Sequence, residues 1–255
     1  YTQQSEPSIV YWKQMYDGSI LTVDDEGNVS VNSFVGGYLI PQWTLDLNVS
    51  TNAARLDAAQ QLAVVCHDGG VFIVHMDLQI ANRNISTADP VNDADWDDQG
   101  DLWLAYHAGR RRAEEVDSEG PTGVVSPQIQ TGFGAFDVLT DGRIAIGAYD
   151  KKVHISANDG TSLTTLTDSS AIVNVLMEDH NGDLLVGTAN GKLFRYNTSS
   201  WAVETLSLTH GSSIVSLEEF DNSTYHIGTQ NGKMTQVDVD GFSEGETYTS
   251  SGRVI

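Results

Sequence analysis

Apolar and polar positions in this chain fall into short blocks that recur, and the block from Ile172 to Leu208 shows the unit most clearly. Ile172 to Asp179 is apolar and closes on His180-Asn181-Gly182, which predicts a buried strand ended by a tight turn. A second apolar run, Asp183 to Thr188 (DLLVGT), leads into Ala189-Asn190-Gly191, whose Asn-Gly pair supplies the positive φ that a two-residue hairpin needs. Lys192 to Asn197 (KLFRYN) alternates in the manner of a half-exposed strand. Trp201 to Leu208 (WAVETLSL) alternates again, and Thr209-His210-Gly211 opens the next unit. The block therefore reads as four antiparallel strands joined by short turns.

The same block occurs six times. Its first turn falls at Asp17-Gly18, Ala59-Gln60, Gln99-Gly100, Asp141-Gly142, Asn181-Gly182 and Asp221-Asn222. Its second falls at Glu26-Gly27, Asp68-Gly69, Ala108-Gly109, Asp150-Lys151, Asn190-Gly191 and Asn231-Gly232, and both series advance by 40 to 42 residues. A period of that length with several strands per unit predicts an all-β fold, a β-propeller of four-stranded antiparallel blades. No such unit buries its apolar face without neighbours, so residues 1–255 are expected to form one domain. The expected blades are 8–48, 49–88, 89–130, 131–170, 171–211 and 212–255. In repeat register Val254-Ile255 would begin a further first strand and Tyr1 to Pro7 would end an outer one. Six blades are expected, or seven if the chain is a piece of a longer protein. Gly147, Gly187 and Gly228 recur near the end of the second strand, where a missing side chain would let neighbouring blades approach.

Leu208 to Asp238 (LTHGSSIVSLEEFDNSTYHIGTQNGKMTQVD) has a Gly/His start, an apolar strand, a turn, a small-residue strand and an Asn-Gly turn. In this layout it resembles the WD-repeat β-propellers, in a degenerate form: Tyr196-Asn197 and Val237-Asp238 stand where a terminal Trp-Asp would be. Asp179 to Tyr196 and the GDLWLA of Gly100 to Ala105 also look like the sensor propellers of two-component regulators. The resemblance covers nearly the whole chain, implies blade architecture and transfers no catalytic residue.

Charge changes the picture of partners. With 35 acidic and 13 basic residues the formal net charge is −22, and five of the basic residues are lysines. A balance of this sign argues against binding the phosphate backbone of nucleic acid, which needs a positive stripe. It resembles proteins of salt-adapted organisms, and it also suits cationic partners or divalent metals. Cys66 is the single cysteine, so no intrachain disulfide forms and the count leaves the compartment open. No apolar run approaches the 18 residues of a membrane helix. The chain begins at Tyr1, as a processed or excised segment would, and carries Asn-x-Ser/Thr sequons at Asn28, Asn48, Asn84, Asn197 and Asn222. Together these favour an extracellular or cell-surface location over a cytoplasmic one.

Candidate chemistry is sparse. Walker, HExxH, CxxC-pair and G-x-S-x-G motifs are absent, which leaves an enzymatic reading without a motif. Asp93, Asp95, Asp97 and Asp101 occupy positions 1, 3, 5 and 9 of a would-be calcium loop. Asp98 replaces its glycine, no Glu stands at position 12, and repeat alignment assigns Asp93 and Asp95 to an innermost strand lining a solvated channel. Among the second-turn positions His67, Asp68, Tyr106, His107, Tyr149, Asp150 and Lys151, the residues His67, His107 and Tyr149 are equivalent places in consecutive blades and could share a binding face. A zinc site from His67 and His107 has no spacing motif behind it. Arg110 to Arg112 reads as counter-charge to Glu114 and Glu115, and Trp12, Trp43, Trp96, Trp103 and Trp201 as inter-blade packing.

The expected function is a non-enzymatic propeller that presents an acidic interaction face to a protein partner or to a further domain of its own chain. The alternative is an extracellular sensor or ligand-binding propeller holding a small molecule or metal; a third reading is a metal-dependent hydrolase or lactonase. No cofactor is expected, Ca²⁺ being the ion considered for the aspartate segment.

Overall fold

In a computed structural model, 24 strands account for the regular structure among the described residues, which are 8–36, 38–57, 59–87, 89–106, 111–117, 120–221, 224–238 and 240–249. The first sheet is β1 (Ile9–Gln14), β2 (Ile20–Asp24), β3 (Asn28–Val35) and β4 (Tyr38–Asp46). The second is β5 (Thr51–Leu56), β6 (Gln61–Cys66), β7 (Gly70–His75) and β8 (Ile80–Ser86). The third is β9 (Asp93–Trp96), β10 (Leu102–Tyr106), β11 (Arg112–Asp117) and β12 (Gly120–Val125). The fourth is β13 (Phe133–Val138), β14 (Ile144–Ala148), β15 (Val153–Ser156) and β16 (Ser162–Leu166). The fifth is β17 (Val173–Glu178), β18 (Asp183–Thr188), β19 (Lys192–Asn197) and β20 (Val203–Ser207). The sixth is β21 (Ile214–Asp221), β22 (Thr224–Thr229), β23 (Lys233–Asp238) and β24 (Ser243–Thr249). Each sheet is a four-stranded meander in chain order, and the fold is the six-bladed β-propeller that the repeat predicts.

The chain gathers into two compact units, residues 1–110 with 116–120, and residues 111–115 with 121–255. In the first unit, Leu21, Val23 and Val29 of the first sheet pack with Ala54, Leu62, Val64 and Val74 of the second. A further cluster joins Val65, Val71 and Ile85 to Val91, Ala94, Leu102 and Leu104. In the second unit, Leu139, Val153, Ile155 and Leu166 of the fourth blade meet Leu176, Leu184, Val186 and Tyr196 of the fifth. Leu185 and Leu193 then meet Ile214, Leu217, Tyr225 and Ile227 of the sixth. The second strands β6, β10, β14 and β18 are the most continuously buried, as runs such as LLVGT require, while outer strands such as β20 are largely exposed.

Close packing of blades depends on Gly187. A Cβ there would stand 2.6 Å from Val175 Cγ1 and 2.7 Å from Ile214 Cγ2, so the sixth blade can approach only a glycine. Polar contacts recur at repeat spacing as well. At the end of the fifth blade's first strand, Glu178 reaches back to the fourth blade's turn, where its Oε2 accepts the Thr140 N–H at 2.6 Å. Forty-one residues on, Glu219 accepts the His180 N–H at 3.0 Å and its carboxylate also contacts the His180 ring. In the first unit, Trp96 takes the same position, and its indole N–H donates to the Arg55 carbonyl at 3.1 Å. Tyr225 adds a buried bond to Asp179. Each pair ties a blade to its predecessor.

The overlap of the two ends falls on residues 1–7 and 250–255, outside the described residues.

Candidate functional site

The second turns of the blades show first what their polar residues hold. In the fifth and sixth blades the hydroxyls of Thr188 and Thr229, both fully buried, donate to Asn190 Oδ1 and Asn231 Oδ1 at 2.8 Å. Each Asn thus braces its own turn, and the Asn190 amide also donates to Ser170 Oγ at 3.2 Å. In the fourth blade Asp150 occupies the same position; its Oδ1 accepts the Lys152 N–H at 3.2 Å and its Oδ2 lies 3.1 Å from His154 Nε2. Asp150 therefore pins its own hairpin, while Lys151 at φ 69° and Tyr149, 43% exposed, form the outer surface of that turn.

In the first unit, His67 and Asp68 are exposed; the His67 N–H donates to the Ser50 carbonyl at 2.9 Å, and Asp68 Oδ1 accepts the Gly70 N–H at 3.0 Å. Tyr106, read from the sequence as a second-turn position of the candidate binding face, instead ends β10 and is 1% exposed within the core of the second and third blades. His107, like Arg110, lies outside the described residues. Beside His67, burial and then the charge of Asp68 push the Cys66 thiol up to about 11, which keeps it protonated and unreactive at neutral pH.

The aspartate segment distributes its carboxylates among separate tasks. Asp93, on β9, pairs with Arg55 at 3.2 Å; burial pushes its carboxyl up against the pull of Arg55, and the charge of Asp95 pushes the same way. Asp95 Oδ1 accepts the N–H of Trp96 at 3.0 Å. Asp97 closes the following turn: Oδ1 accepts the Gln99 and Asp101 N–H groups at 3.0 and 2.9 Å, and Oδ2 accepts from Trp103 Nε1 at 3.3 Å. Of these four aspartates, Asp97 and Asp101 come together, within 4.8 Å. Desolvation and the charges of Asp97 and Asp117 raise the Asp101 carboxyl, so negative charge is concentrated at this turn.

A different surface stands out in the first blade. The β3–β4 hairpin is longer than its counterparts, pairing Asn32 with Pro41, Ser33 with Ile40, Phe34 with Leu39 and Val35 with Tyr38 at its tip. Five successive large apolar side chains there are exposed: Phe34 62%, Val35 56%, Tyr38 75%, Leu39 45% and Ile40 50%. From Gly27 to Leu45 no residue is charged, the longest such run in a chain with 48 charged residues among 255. β4 is also the last strand of its sheet, with one ladder edge unpaired by the blade. Sequence reasoning passed over this segment because FVGGYLI has the composition of core; the signal available was the missing charge.

Among solved structures the fold is similar to a chain in the crystal structure of the mitotic checkpoint complex, with a TM-score of 0.77, 93% of this chain and 76% of that chain covered, and 15% sequence identity. The likeness is one of fold, and it agrees with the WD-repeat-like architecture of the blades. No protein-family model matches the chain, and no curated protein matches it in sequence. Among the described residues no helix is long and apolar enough to cross a membrane.

Proposed function

We propose that this chain is a non-enzymatic protein-interaction scaffold that docks its partner on the β3–β4 hairpin of the first blade. The observation that carries this reading is the run of five exposed apolar residues from Phe34 to Ile40 on an uncharged hairpin, in a protein of net charge −22. Exposed contiguous apolar surface is costly to leave in water and is a mark of association. The unpaired edge of β4 adds a row of main-chain donors and acceptors that an extended partner segment can bind by strand addition. Pro41 interrupts that edge, which limits uncontrolled pairing with other copies. A similar fold occurring in a protein complex supports the scaffold reading. The acidic remainder of the surface would repel other acidic proteins and leave the hairpin as the preferred contact.

The test is proximity labelling in the native host with the full chain, comparing wild type with Phe34→Asp/Tyr38→Asp. Because both side chains are exposed, the variant should keep the wild-type melting temperature while losing a defined set of labelled proteins. Identical labelled sets at equal expression would refute the docking assignment.

A second reading, a cation at the aspartate turn, is favoured by the carboxylates of Asp97 and Asp101, which lie within 4.8 Å of each other. Hard cations seek such converging oxygens. Calcium should then raise the melting temperature of the wild type and leave Asp101→Asn unmoved; equal responses would discard it.

A further inference from the structure

The β3–β4 hairpin changes character where it leaves its blade. Strand β2 pairs with β3 from Val29 to Asn32 and stops, whereas β4 goes on to pair with Ser33, Phe34 and Val35. These last three residue pairs project past β2 by about 10 Å at the usual rise of a strand. Directly opposite residues share a face and successive residues alternate, so the ladder sorts the side chains. Within the blade one face is apolar, with Val29, Val31, Trp43 and Leu45 packed in the core. The other is polar: the Ser30 and Thr44 hydroxyls bond at 2.9 Å, and Asn32 Nδ2 donates to Thr22 Oγ1 at 3.0 Å.

In the projection that division is lost. Val35, Tyr38 and Ile40 continue the core-facing side, while Phe34 and Leu39, followed by Pro41, continue the polar side. All five large side chains from Phe34 to Ile40 are exposed, so apolar carbon meets water on both faces of one strand pair. A hairpin that rests on a flat surface needs one apolar face and keeps the other polar; apolar character on both faces belongs to strands covered from both sides. The main chain restricts what the covering walls can be. Neither edge of the projection is paired within the blade, because β2 has ended on one side and β4 is the last strand on the other. In lipid each unmet N–H or C=O costs several kcal/mol, whereas a protein wall can pair with it. Charge then separates a different protein from a second copy. Glu26 and Asp46, both exposed, stand at the foot of the hairpin, where Asn28 pairs with Asp46 and the Leu47 N–H donates to the Gly27 carbonyl at 3.1 Å. Two chains of net charge −22 repel each other, while a cationic surface is drawn to this foot.

We infer that the hairpin tip is a wedge that enters a cleft in a different protein, one with two apolar walls and a rim of Lys and Arg. Phe34 and Leu39 press against one wall, and Val35, Tyr38 and Ile40 against the other. Polar groups of the walls meet the free main-chain groups of the projecting edges, and the rim meets Glu26 and Asp46. The inference rests on the docking reading above and adds the shape and charge of the surface that receives the hairpin.

The experiment introduces the photo-cross-linking residue p-benzoylphenylalanine into the full chain in its native host, at one position at a time. Phe34 and Leu39 sample one face of the tip, Tyr38 and Ile40 the other, and Thr44, on the polar face within the blade, is the control. One and the same protein should be joined from all four tip positions and not from Thr44. Phe34→Ser/Leu39→Ser, read from the probe at Tyr38, and Tyr38→Ser/Ile40→Ser, read from the probe at Phe34, should each lower the yield of that product by about tenfold. Both variants should keep the wild-type melting temperature, since the replaced side chains are exposed. Glu26→Lys/Asp46→Lys should lower the yield as well, and an unchanged yield would remove the cationic rim. Cross-links from one face alone, or different proteins on the two faces, would overturn the cleft and leave the docking reading standing. No cross-link from any tip position would overturn both. A product of twice the chain's mass would assign the tip to a second copy. Co-sedimentation of the whole chain with phosphatidylcholine vesicles, lost in Phe34→Asp/Tyr38→Asp, would assign it to a bilayer, and either assignment overturns the inference.

Discussion

Replacing Gly187 by alanine tests the close approach of the fifth and sixth blades at a single atom. The added Cβ would lie 2.6 Å from Val175 Cγ1, 2.7 Å from Ile214 Cγ2 and 3.2 Å from Ile214 Cβ, so three carbons are met inside van der Waals contact. Ile214 is fully buried and β-branched, which restricts its rotation away from the added carbon. Overpacking of this kind costs about 1–3 kcal/mol, against which alanine recovers roughly 0.5–1 kcal/mol of the backbone entropy that glycine loses in a strand. With three contacts this close the cost falls in the upper part of that range, about 2–3 kcal/mol, so the net expectation is a loss of about 1–2.5 kcal/mol, equivalent to roughly 2–10 °C in melting temperature for a chain of this size. Chemical denaturation monitored by fluorescence, with a constant m-value, gives the number directly. The clash also predicts its own remedy: Gly187→Ala/Ile214→Val should recover part of the loss, although Ile214→Val alone destabilises by about 0.5–1.5 kcal/mol. A neutral or stabilising Gly187→Ala, or strictly additive behaviour of the pair, would show that the blades do not approach closely at this point.

Two further expectations follow from local chemistry. Lys151 adopts φ 69° at the turn position where Gly191 and Gly232 stand in the next two repeats, so Lys151→Gly should relieve left-handed strain and stabilise by up to about 1 kcal/mol; a lower midpoint in denaturant would contradict this. Asp101 has a folded carboxyl raised by desolvation and by Asp97 and Asp117, so its charged form opposes folding once pH exceeds the ordinary aspartate value. Asp101→Asn should therefore raise the melting temperature at pH 7, and the gain should shrink as pH falls towards about 4 and be absent below it, where the wild type is protonated in both folded and unfolded states. A gain independent of pH would assign the effect to something other than charge.

The blade plan was readable because turns and strands are local. Asn190-Gly191 and Asn181-Gly182 place their glycines at φ 75° and 76°, and Asp183–Thr188 and Lys192–Asn197 are the observed β18 and β19. The outer strand was less readable: Trp201 adopts φ 58° in a turn, its ring under the Arg143 guanidinium at 4.9 Å, and β20 starts only at Val203. Alternation cannot locate a strand start when the flanking turn is itself apolar. The exposed hairpin escaped notice for a related reason, since Phe34 and Ile40 differ from core residues only in what covers them. Glu178 and Glu219 share a repeat position, but their reach to Thr140 and His180 needs the neighbouring blade in place.

The backward reach of Glu178, Glu219 and Tyr225 also gives the chain a temporal direction. Thr140, His180 and Asp179 lie in turns that are synthesised about forty residues before the side chains that engage them. On a ribosome moving from the N-terminus, each blade would emerge with its turn contacts unmet and be fastened only when its successor's first or second strand arrives. Growth of the folded structure would thus lag synthesis by one blade, and a nascent chain stalled within the sixth blade would leave the fifth blade's turn open to solvent.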